Sequence, residues 1–193
     1  MSNVIDKHVH DALALVIEAT MLRAYGEIQP CPDGMKETPS RLWRALQEMT
    51  CGYKDDPAQI LAKDFAPDGY DQVVALKGID FSSLCEHHLM PFHGTVGIAY
   101  LPGGRVVGLS KLARLVNCFA RRFQIQERMT HQIAEALAGI GARGVAVVVK
   151  GTHTCMTARG VLKPGSVMVT SSLRGVFLED QDARSEALGL LEE

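Results

Sequence analysis

The sequence lacks any uninterrupted apolar run long enough to cross a bilayer. Runs such as 13–17 and 145–149 fall far short of the roughly 18 residues that a membrane span requires. Charged and histidine side chains interrupt residues 1–15, where a secretory signal would need a continuous apolar stretch. We therefore expect a soluble, cytoplasmic protein with no membrane partner.

An excess of charge of one sign is also missing. The 193 residues carry 20 Lys and Arg against 22 Asp and Glu, a net charge of −2. A protein that coats nucleic acid through its overall field needs a large excess of cations, so we expect no nucleic-acid partner. Five cysteines cannot all pair within one chain, and a chain that is 47% hydrophobic can form a core without disulfides. We interpret the cysteines as reduced thiols.

Hydrophobic periodicity divides the chain into a helical segment and a mixed remainder. Apolar residues recur at helical spacing over residues 6–25, and Gly26 ends the pattern. A second helix follows Thr38-Pro39, an N-cap residue and a proline suited to the first helical turn. Two prolines and a glycine in residues 57–71 indicate a boundary. We predict an N-terminal helical segment over residues 1–66 and a second domain over residues 67–193.

After this boundary the apolar period changes from helical to alternating. Strands are predicted over residues 74–81, with a bulge at Gly78, and over residues 96–100, which a glycine-rich turn joins to a short strand at 106–107 as a hairpin. Two helices are predicted over residues 109–137, with their join near Gln124. Strands over 145–149 and 161–170 follow. The order β-β-α-α-β-β predicts an α+β fold.

Cysteine and histidine cluster at two points of this second part, Cys85-Glu86-His87-His88 and His153-Thr154-Cys155. The spacing of Cys85 and His88 lets one turn present two ligands to a tetrahedral zinc, and Cys155 lies where it could complete the shell. The alternative is that the cysteines are buried apolar residues and the histidines are hydrogen-bonded core groups. The clustering favours a metal, and thiolates favour zinc over magnesium or calcium. Because the sequence has no Cys-x-x-Cys pair that would close a four-ligand site, we expect three ligands, a fourth position open to an activated water, and spare histidines as proton carriers.

A second signal is a basic stretch between residues 103 and 128. It holds six cations against the single acid Glu127: Arg105, Lys111, Arg114, Arg121, Arg122 and Arg128. A solvated helical face is the alternative. A carboxylate such as Glu127 can accept two hydrogen bonds from the N1 and exocyclic amine of guanine, while Lys and Arg suit a polyphosphate. An ion pair between Glu127 and a neighbouring Arg is equally compatible with the sequence.

The order and spacing of these motifs resemble GTP cyclohydrolase I. The segments that carry the resemblance are Cys85-Glu86-His87-His88, residues 108–114, Gln126-Glu127-Arg128, His153-Thr154-Cys155, Ala158-Arg159-Gly160 and Thr38-Pro39-Ser40-Arg41. The resemblance extends from about residue 38 to residue 177. The resemblance implies a tunnelling fold, in which two helices lie on one side of an antiparallel sheet. It also implies rings of subunits stacked as a homodecamer, with active sites between subunits.

The activity that the resemblance implies is hydrolysis of GTP at C8 of guanine. The products would be formate and 7,8-dihydroneopterin triphosphate, in the first step of pterin and folate biosynthesis. The resemblance assigns zinc to Cys85, His88 and Cys155, proton transfer to His87 and His153, and the ribose to Ser110. It assigns the guanine to Gln126 and Glu127, and the triphosphate to Lys111, Arg114, Arg159 and Arg41.

Other functions fit the same motifs. One is a non-catalytic, zinc-stabilised module of the same fold that binds a nucleotide and supports assembly. Another is a zinc hydrolase that acts on a different purine nucleotide. RNA binding by Arg114, Arg121 and Arg128, which are seven residues apart and would share one face of a continuous helix, is a third.

Overall fold

The computed structural model describes residues 2–25 and 32–192, and it separates into two compact units, residues 1–48 and 49–193. The predicted end of the first helix at Gly26 lies outside the described residues. The predicted domain boundary after residue 66 remains a prediction, because it concerns domains rather than compact units.

Two helices make up most of the first unit. Helix α1 (Ser2–Tyr25) and helix α2 (Thr38–Met49) are separated in the described chain by a 3₁₀ turn (Asp33–Met35). The indole N–H of Trp43 donates to the Asp6 carboxylate at 2.8 Å and joins the two helices. Pro39 lies in the first turn of α2, where its missing N–H would have no helical partner. The predicted second helix is confirmed.

The second unit is a mixed arrangement of helices and strands. Its elements are a 3₁₀ turn (Cys51–Lys54), α3 (Pro57–Leu61), β1 (Asp64–Phe65), β2 (Val74–Cys85), β3 (Pro91–Leu101), β4 (Val106–Val107), α4 (Leu109–Ala120), β5 (Phe123–Gln124), α5 (Gln126–Ala138), β6 (Gly144–His153), α6 (Thr154–Thr157), β7 (Met168–Gly175), α7 (Val176–Glu179) and α8 (Gln181–Leu191). Five strands form one sheet in the order β5-β2-β3-β6-β7. All neighbours are antiparallel except β2 and β5. The predicted α+β class is confirmed.

The sheet buries apolar side chains on both faces. On one face, alternate residues of β3 and β6 pack with α4 and α5 in the main core, whose members include Val96, Ile98, Tyr100, Val145, Val147, Leu115, Val116, Ile133 and Leu137. The intervening residues Ala99 and Ala146 face the other way and pack with Phe177, Ala187 and Leu191 in a second, smaller core. Because successive side chains of a strand point to opposite faces of the sheet, β3 and β6 each contribute to both cores. The sequence analysis gave no prediction for α8, which covers part of the second face.

Several predicted elements are confirmed in detail. The pairing of β2 with β3 shifts register between Leu76 and Ile79, and Gly78 adopts a φ of 71°, so the predicted bulge is present. The helical stretch is two helices, α4 and α5, and Gln124 lies between them. This break means that Arg114 and Arg128 do not share one continuous helical face.

Two strand predictions are wrong. Strand β4 pairs with β1 rather than forming a hairpin with β3, because β3 already has β2 on one side and β6 on the other. Strand β7 begins at Met168 rather than at Val161. Residues 161–167 contain Pro164 and Gly165, which suit a turn better than the interior of a strand. Within the described ranges, no helix is both long enough and apolar enough to cross a membrane.

Candidate active site

A tight turn after β2 presents the first two candidate metal ligands. Cys85 is the last residue of β2, and its carbonyl accepts from the N–H groups of His88 at 3.3 Å and Leu89 at 2.8 Å. Leu89 adopts a φ of 52°, an unusual value for a leucine, and this closes the turn. The turn therefore brings Cys85 and His88 to the same side.

The third candidate ligand is contributed by the far end of the neighbouring strand pair. Strand β3 pairs Pro91 with Leu84 on one side and Phe92 with His153 on the other. This register brings Cys155, in the short helix α6 after β6, next to the Cys85 turn. The hydroxyl of Thr154 donates to the carbonyl of Pro91 at 2.5 Å and ties α6 to the start of β3.

Cys85, His88 and Cys155 form a group that could hold a metal ion, with ligand atoms all within 4.8 Å of one another. Cys85 Sγ and His88 Nδ1 lie 3.6 Å apart. A tetrahedral zinc with ordinary bonds to sulfur and nitrogen would separate such a pair by about 3.6 Å. Burial raises the pKa of the Cys155 thiol, and the adjacent Cys85 sulfur raises it further. A divalent cation would favour the thiolates that this crowding otherwise disfavours.

His87 extends from the same turn without belonging to this group. Its Nδ1 lies 3.9 Å from Cys85 Sγ, and its side chain is 64% exposed. Glu86, the preceding residue, pairs with Arg128 of α5, and its N–H donates to the carbonyl of Gln124 at 3.0 Å. These contacts fasten the turn to the start of α5 and leave His87 accessible.

His153, at the end of β6, is held by two contacts. Its ring stacks on the buried Phe92 at a centroid distance of 4.5 Å and an interplanar angle of 5°. Its Nε2 lies 3.0 Å from Gln126 Oε1. Burial lowers the pKa of His153, and the charge of Glu127 opposes this effect. The ring is therefore kept fixed beside the candidate metal group, and Glu127 lies near enough to act on it.

Gln126 and Glu127 begin α5 but differ in exposure. Glu127 is exposed, whereas the Gln126 side chain is fully buried and both of its polar atoms are hydrogen-bonded within the chain. Arg128 pairs with Glu86 rather than with Glu127, so the ion pair considered as an alternative for Glu127 is not formed with this neighbour. The contact of Glu127 with a guanine stays a prediction. For Gln126 the same prediction would require its present hydrogen bonds to change.

Ser110, Lys111 and Arg114 lie far from the candidate metal group within one chain. Strand β3 runs away from the Cys85 turn, and α4 begins only after its far end and then returns, since Phe123 pairs with Leu84. With a rise of about 1.5 Å per residue, α4 places its first residues about 16 Å from its last. Lys111 and Arg114 line a cleft with Lys54, Asp55, Asp56 and Gln59 instead.

The two remaining predicted arginines lie in different units. Arg159 is exposed just after α6, and its charge lowers the pKa of Cys155, so it lies near the candidate metal group. Arg41 is exposed on α2 of the first unit. The structure thus assembles Cys85, His88, Cys155, His87 and His153 at one end of the sheet. It places Ser110 and Lys111, in the first turn of α4, toward the other end, and Arg114 near the middle of that helix.

Phe92 belongs to the site but was not among the predicted site residues. Its stack on His153 fixes the plane of the ring. The alternation through Val96, Ile98 and Tyr100 extends back to Phe92 and indicates the buried face. Its pairing with His153 depends on the register between β3 and β6, which the sequence does not reveal.

Comparison with known proteins gives a consistent result. The sequence profile of a family described as GTP cyclohydrolase I matches residues 17–192. A protein named GTP cyclohydrolase 1 from Rhodopirellula baltica is 55% identical over 172 residues, which cover 89% of this chain and 74% of that protein. One of the same name from Chlorobaculum tepidum is 46% identical over 173 residues, covering 89% and 77%. Another, from a Synechococcus strain, is 48% identical over 181 residues, covering 93% and 78%.

A solved structure gives only a weak likeness. The apo form of a QueF-like archaeosine synthase superposes with a TM-score of 0.43 at 18% identity, covering 55% of this chain and 96% of that one. A superposition at this level establishes no relationship by itself. The profile match over residues 17–192 and the identity of 46% to 55% over about three quarters of these two relatives are decisive, and they show that this chain belongs to the GTP cyclohydrolase I family.

Proposed function

We propose that this chain is a zinc-dependent GTP cyclohydrolase I that opens the imidazole ring of GTP at C8. Water adds to C8, which leaves as formate, and rearrangement of the ribose then closes the ring of 7,8-dihydroneopterin triphosphate. The observation that carries this proposal is the grouping of two thiols and an imidazole beside His153 and near the exposed Glu127. The product class is that of the first step of pterin and folate biosynthesis.

The proposed cofactor is zinc, held by Cys85, His88 and Cys155. The spacing of the ligand atoms and the soft sulfur donors both fit this ion. When bound at such a three-ligand site, zinc acts as a Lewis acid and makes water nucleophilic near neutral pH. Free thiol ligands suit a reducing compartment, and we propose that the protein acts in the cytoplasm.

We propose that Glu127 anchors the guanine and that His87 and His153 carry protons. The exposed carboxylate of Glu127 can accept from both N1–H and the exocyclic amine, a pattern that adenine does not offer. An imidazole next to the reacting atoms can donate and accept a proton near neutral pH. His87 is accessible and His153 is fixed in place, so the two rings are suited to different steps.

We propose that a second copy of this chain completes each site. Ser110, Lys111 and Arg114 are the residues proposed for the ribose and triphosphate. Ser110 and Lys111 lie at the start of α4, toward the opposite end of the sheet from Cys85, and Arg114 lies one turn further along this helix. Arg159 is already beside the metal group, and Arg41 is proposed as a further phosphate contact. A neighbouring chain that presents the start of its α4 would supply the missing cations, since a triphosphate needs several.

The open edges of the sheet support such an assembly. In the described residues, β7 pairs only with β6, and β2 has a partner on its outer side only at Leu84 and Cys85. An exposed apolar residue, Val169, lies on β7 and is 59% accessible. Unpaired edges of this kind are usually covered by another chain or protected. We propose edge-to-edge rings of the tunnelling fold, stacked as a homodecamer.

The function is tested by incubating the purified protein with GTP and measuring formate and pterin fluorescence. We expect one formate per GTP consumed, and loss of both signals after chelation with recovery on adding zinc. ATP should compete at least about tenfold more weakly than GTP, because adenine lacks the adjacent pair of N–H donors that the Glu127 carboxylate would accept from. Zinc-dependent nucleotide binding without formate would instead indicate a non-catalytic module. Formate release from another purine nucleotide in preference to GTP would indicate a different hydrolase.

Mixing two inactive variants tests whether the site is shared between chains. Lys111→Ala chains keep the metal group, and His153→Asn chains keep the cations of α4. If each site takes its two halves from different chains, random mixing restores about a quarter of the sites, because each half is intact in about half of the chains. The measurement is GTP turnover at subsaturating GTP after co-expression and tandem purification on two tags.

Each variant assembled alone is the control for this mixing experiment, and both should remain nearly inactive. Activity of the mixture that does not exceed the mean of the two separate variants would show that one chain holds the whole site. The shared-site proposal would then be wrong.

A further inference from the structure

Gln126 is a fully buried amide whose contacts are more specific than a packing role requires. Its Nε2 lies 3.1 Å from the Val149 carbonyl, 3.0 Å from the Met168 carbonyl and 3.1 Å from Thr170 Oγ1. Its Oε1 lies 3.0 Å from His153 Nε2. The side chain therefore links strands β6 and β7 to His153, which is proposed to carry protons.

The orientation of this amide follows from the chemistry of its partners. The carbonyl oxygens of Val149 and Met168 can only accept hydrogen bonds, so the amide nitrogen faces them and the amide oxygen faces His153. An amide oxygen also only accepts, so His153 Nε2 must carry a hydrogen to make this bond. A neutral imidazole has one N–H, which leaves the lone pair of His153 on Nδ1.

Neighbouring residues keep the amide from turning over. Thr130 Oγ1 donates to the main-chain carbonyl of Gln126 at 2.7 Å, so Thr170 Oγ1, 2.7 Å away, donates to Thr130. The Thr170 oxygen is then left to accept from an N–H of the amide, which favours the amide nitrogen on this side. Gly151 leaves room for the amide, because a Cβ at that position would lie 2.3 Å from Gln126 Oε1. On the other side of the bond, the stack on Phe92 fixes the plane of the His153 ring.

We propose that Gln126 is a positioning residue that holds His153 as the Nε2–H tautomer, so that Nδ1 is the nitrogen that takes up and returns a proton during hydrolysis. This inference rests on the proposed function and extends it by assigning the reactive nitrogen. It also replaces the guanine contact as the role of Gln126. A residue that binds the guanine affects KM, whereas one that orients a proton carrier affects kcat.

The test compares Gln126→Met with Gln124→Met in zinc-loaded protein. Gln124 is an equally buried amide at the same helix join, but its side chain bonds to the Phe119 carbonyl, Gln132 and Arg128 rather than to His153. We expect Gln126→Met to lower kcat by about 10- to 100-fold with KM for GTP within about twofold, as when a partner that orients a site histidine is removed. Gln124→Met should keep kcat within about threefold of the wild type, because Gln124 makes no hydrogen bond to His153. It controls for the loss of stability that removal of a buried amide causes in both variants.

The independent readout is the ¹⁵N spectrum of His153, identified by its absence in His153→Asn. The wild type should show a proton on Nε2 and none on Nδ1 in the neutral ring, and Gln126→Met should show a mixture of tautomers. Gly151→Ala is a second variant, should Gln126→Met not fold. Its added methyl group displaces the amide oxygen, so we expect the same spectral change together with a lower kcat.

Two results would overturn the inference. One is a wild-type ring with its proton on Nδ1. The other is a Gln126→Met enzyme with an unchanged kcat and a raised KM, which would make the amide a guanine contact. If the wild type released no formate from GTP, the proposed function would fail, while the ¹⁵N spectrum would still decide the tautomer of His153.

Discussion

Cys85→Ser should lose both bound zinc and formate release. A serine hydroxyl is a much poorer zinc ligand than a thiolate, and only His88 and Cys155 would remain of the three-ligand group. We expect zinc to fall from about one ion per chain to less than about a tenth, and turnover of GTP to fall by about a thousandfold or more. Elemental analysis and formate release on the same preparation measure the two effects.

The matched control for this prediction is Cys51→Ser. Cys51 is a partly exposed free cysteine whose sulfur contacts Arg121 rather than the candidate metal group. The control variant should keep its zinc and its turnover. A Cys85→Ser protein that retained stoichiometric zinc would remove Cys85 from the ligand set and with it the present assignment of the site.

The local part of this site is readable from the sequence, and the part that depends on strand register is not. Cys85 and His88 share one turn, so their spacing alone predicts that they converge. Their meeting with Cys155 requires β3 to pair with both β2 and β6 at one particular register. The candidate ligands are recognisable in the sequence, but their proximity depends on how the strands pair.

The wrong hairpin prediction has the same physical origin. Residues 106–107 have a suitable strand sequence and a suitable turn before them, yet β3 has no free edge, so β4 pairs with β1. The different exposure of Gln126 and Glu127 was likewise not predictable from their motif, because the direction in which α5 starts turns one side chain inward and the other outward. Local propensity does not encode such competition between partners.

His153→Asn should separate turnover from metal binding. His153 lies outside the group of ligand atoms formed by Cys85, His88 and Cys155, and its Nε2 is bonded to Gln126. We therefore expect about one zinc per chain to remain, while formate release falls by about 10²- to 10⁴-fold, the range for loss of a general acid or base. The measurement is zinc content beside GTP turnover.

A second histidine provides the control for this separation. His131 is exposed on α5 and contacts Arg174, so His131→Asn removes an imidazole without reaching the candidate site. We expect it to keep both zinc and turnover. If His153→Asn lost its zinc, the ring would be a ligand rather than a proton carrier, and the assignment of His153 to proton transfer would be wrong. Retained zinc with lost turnover, combined with loss of both in Cys85→Ser, would distinguish residues that hold the ion from a residue that moves the proton.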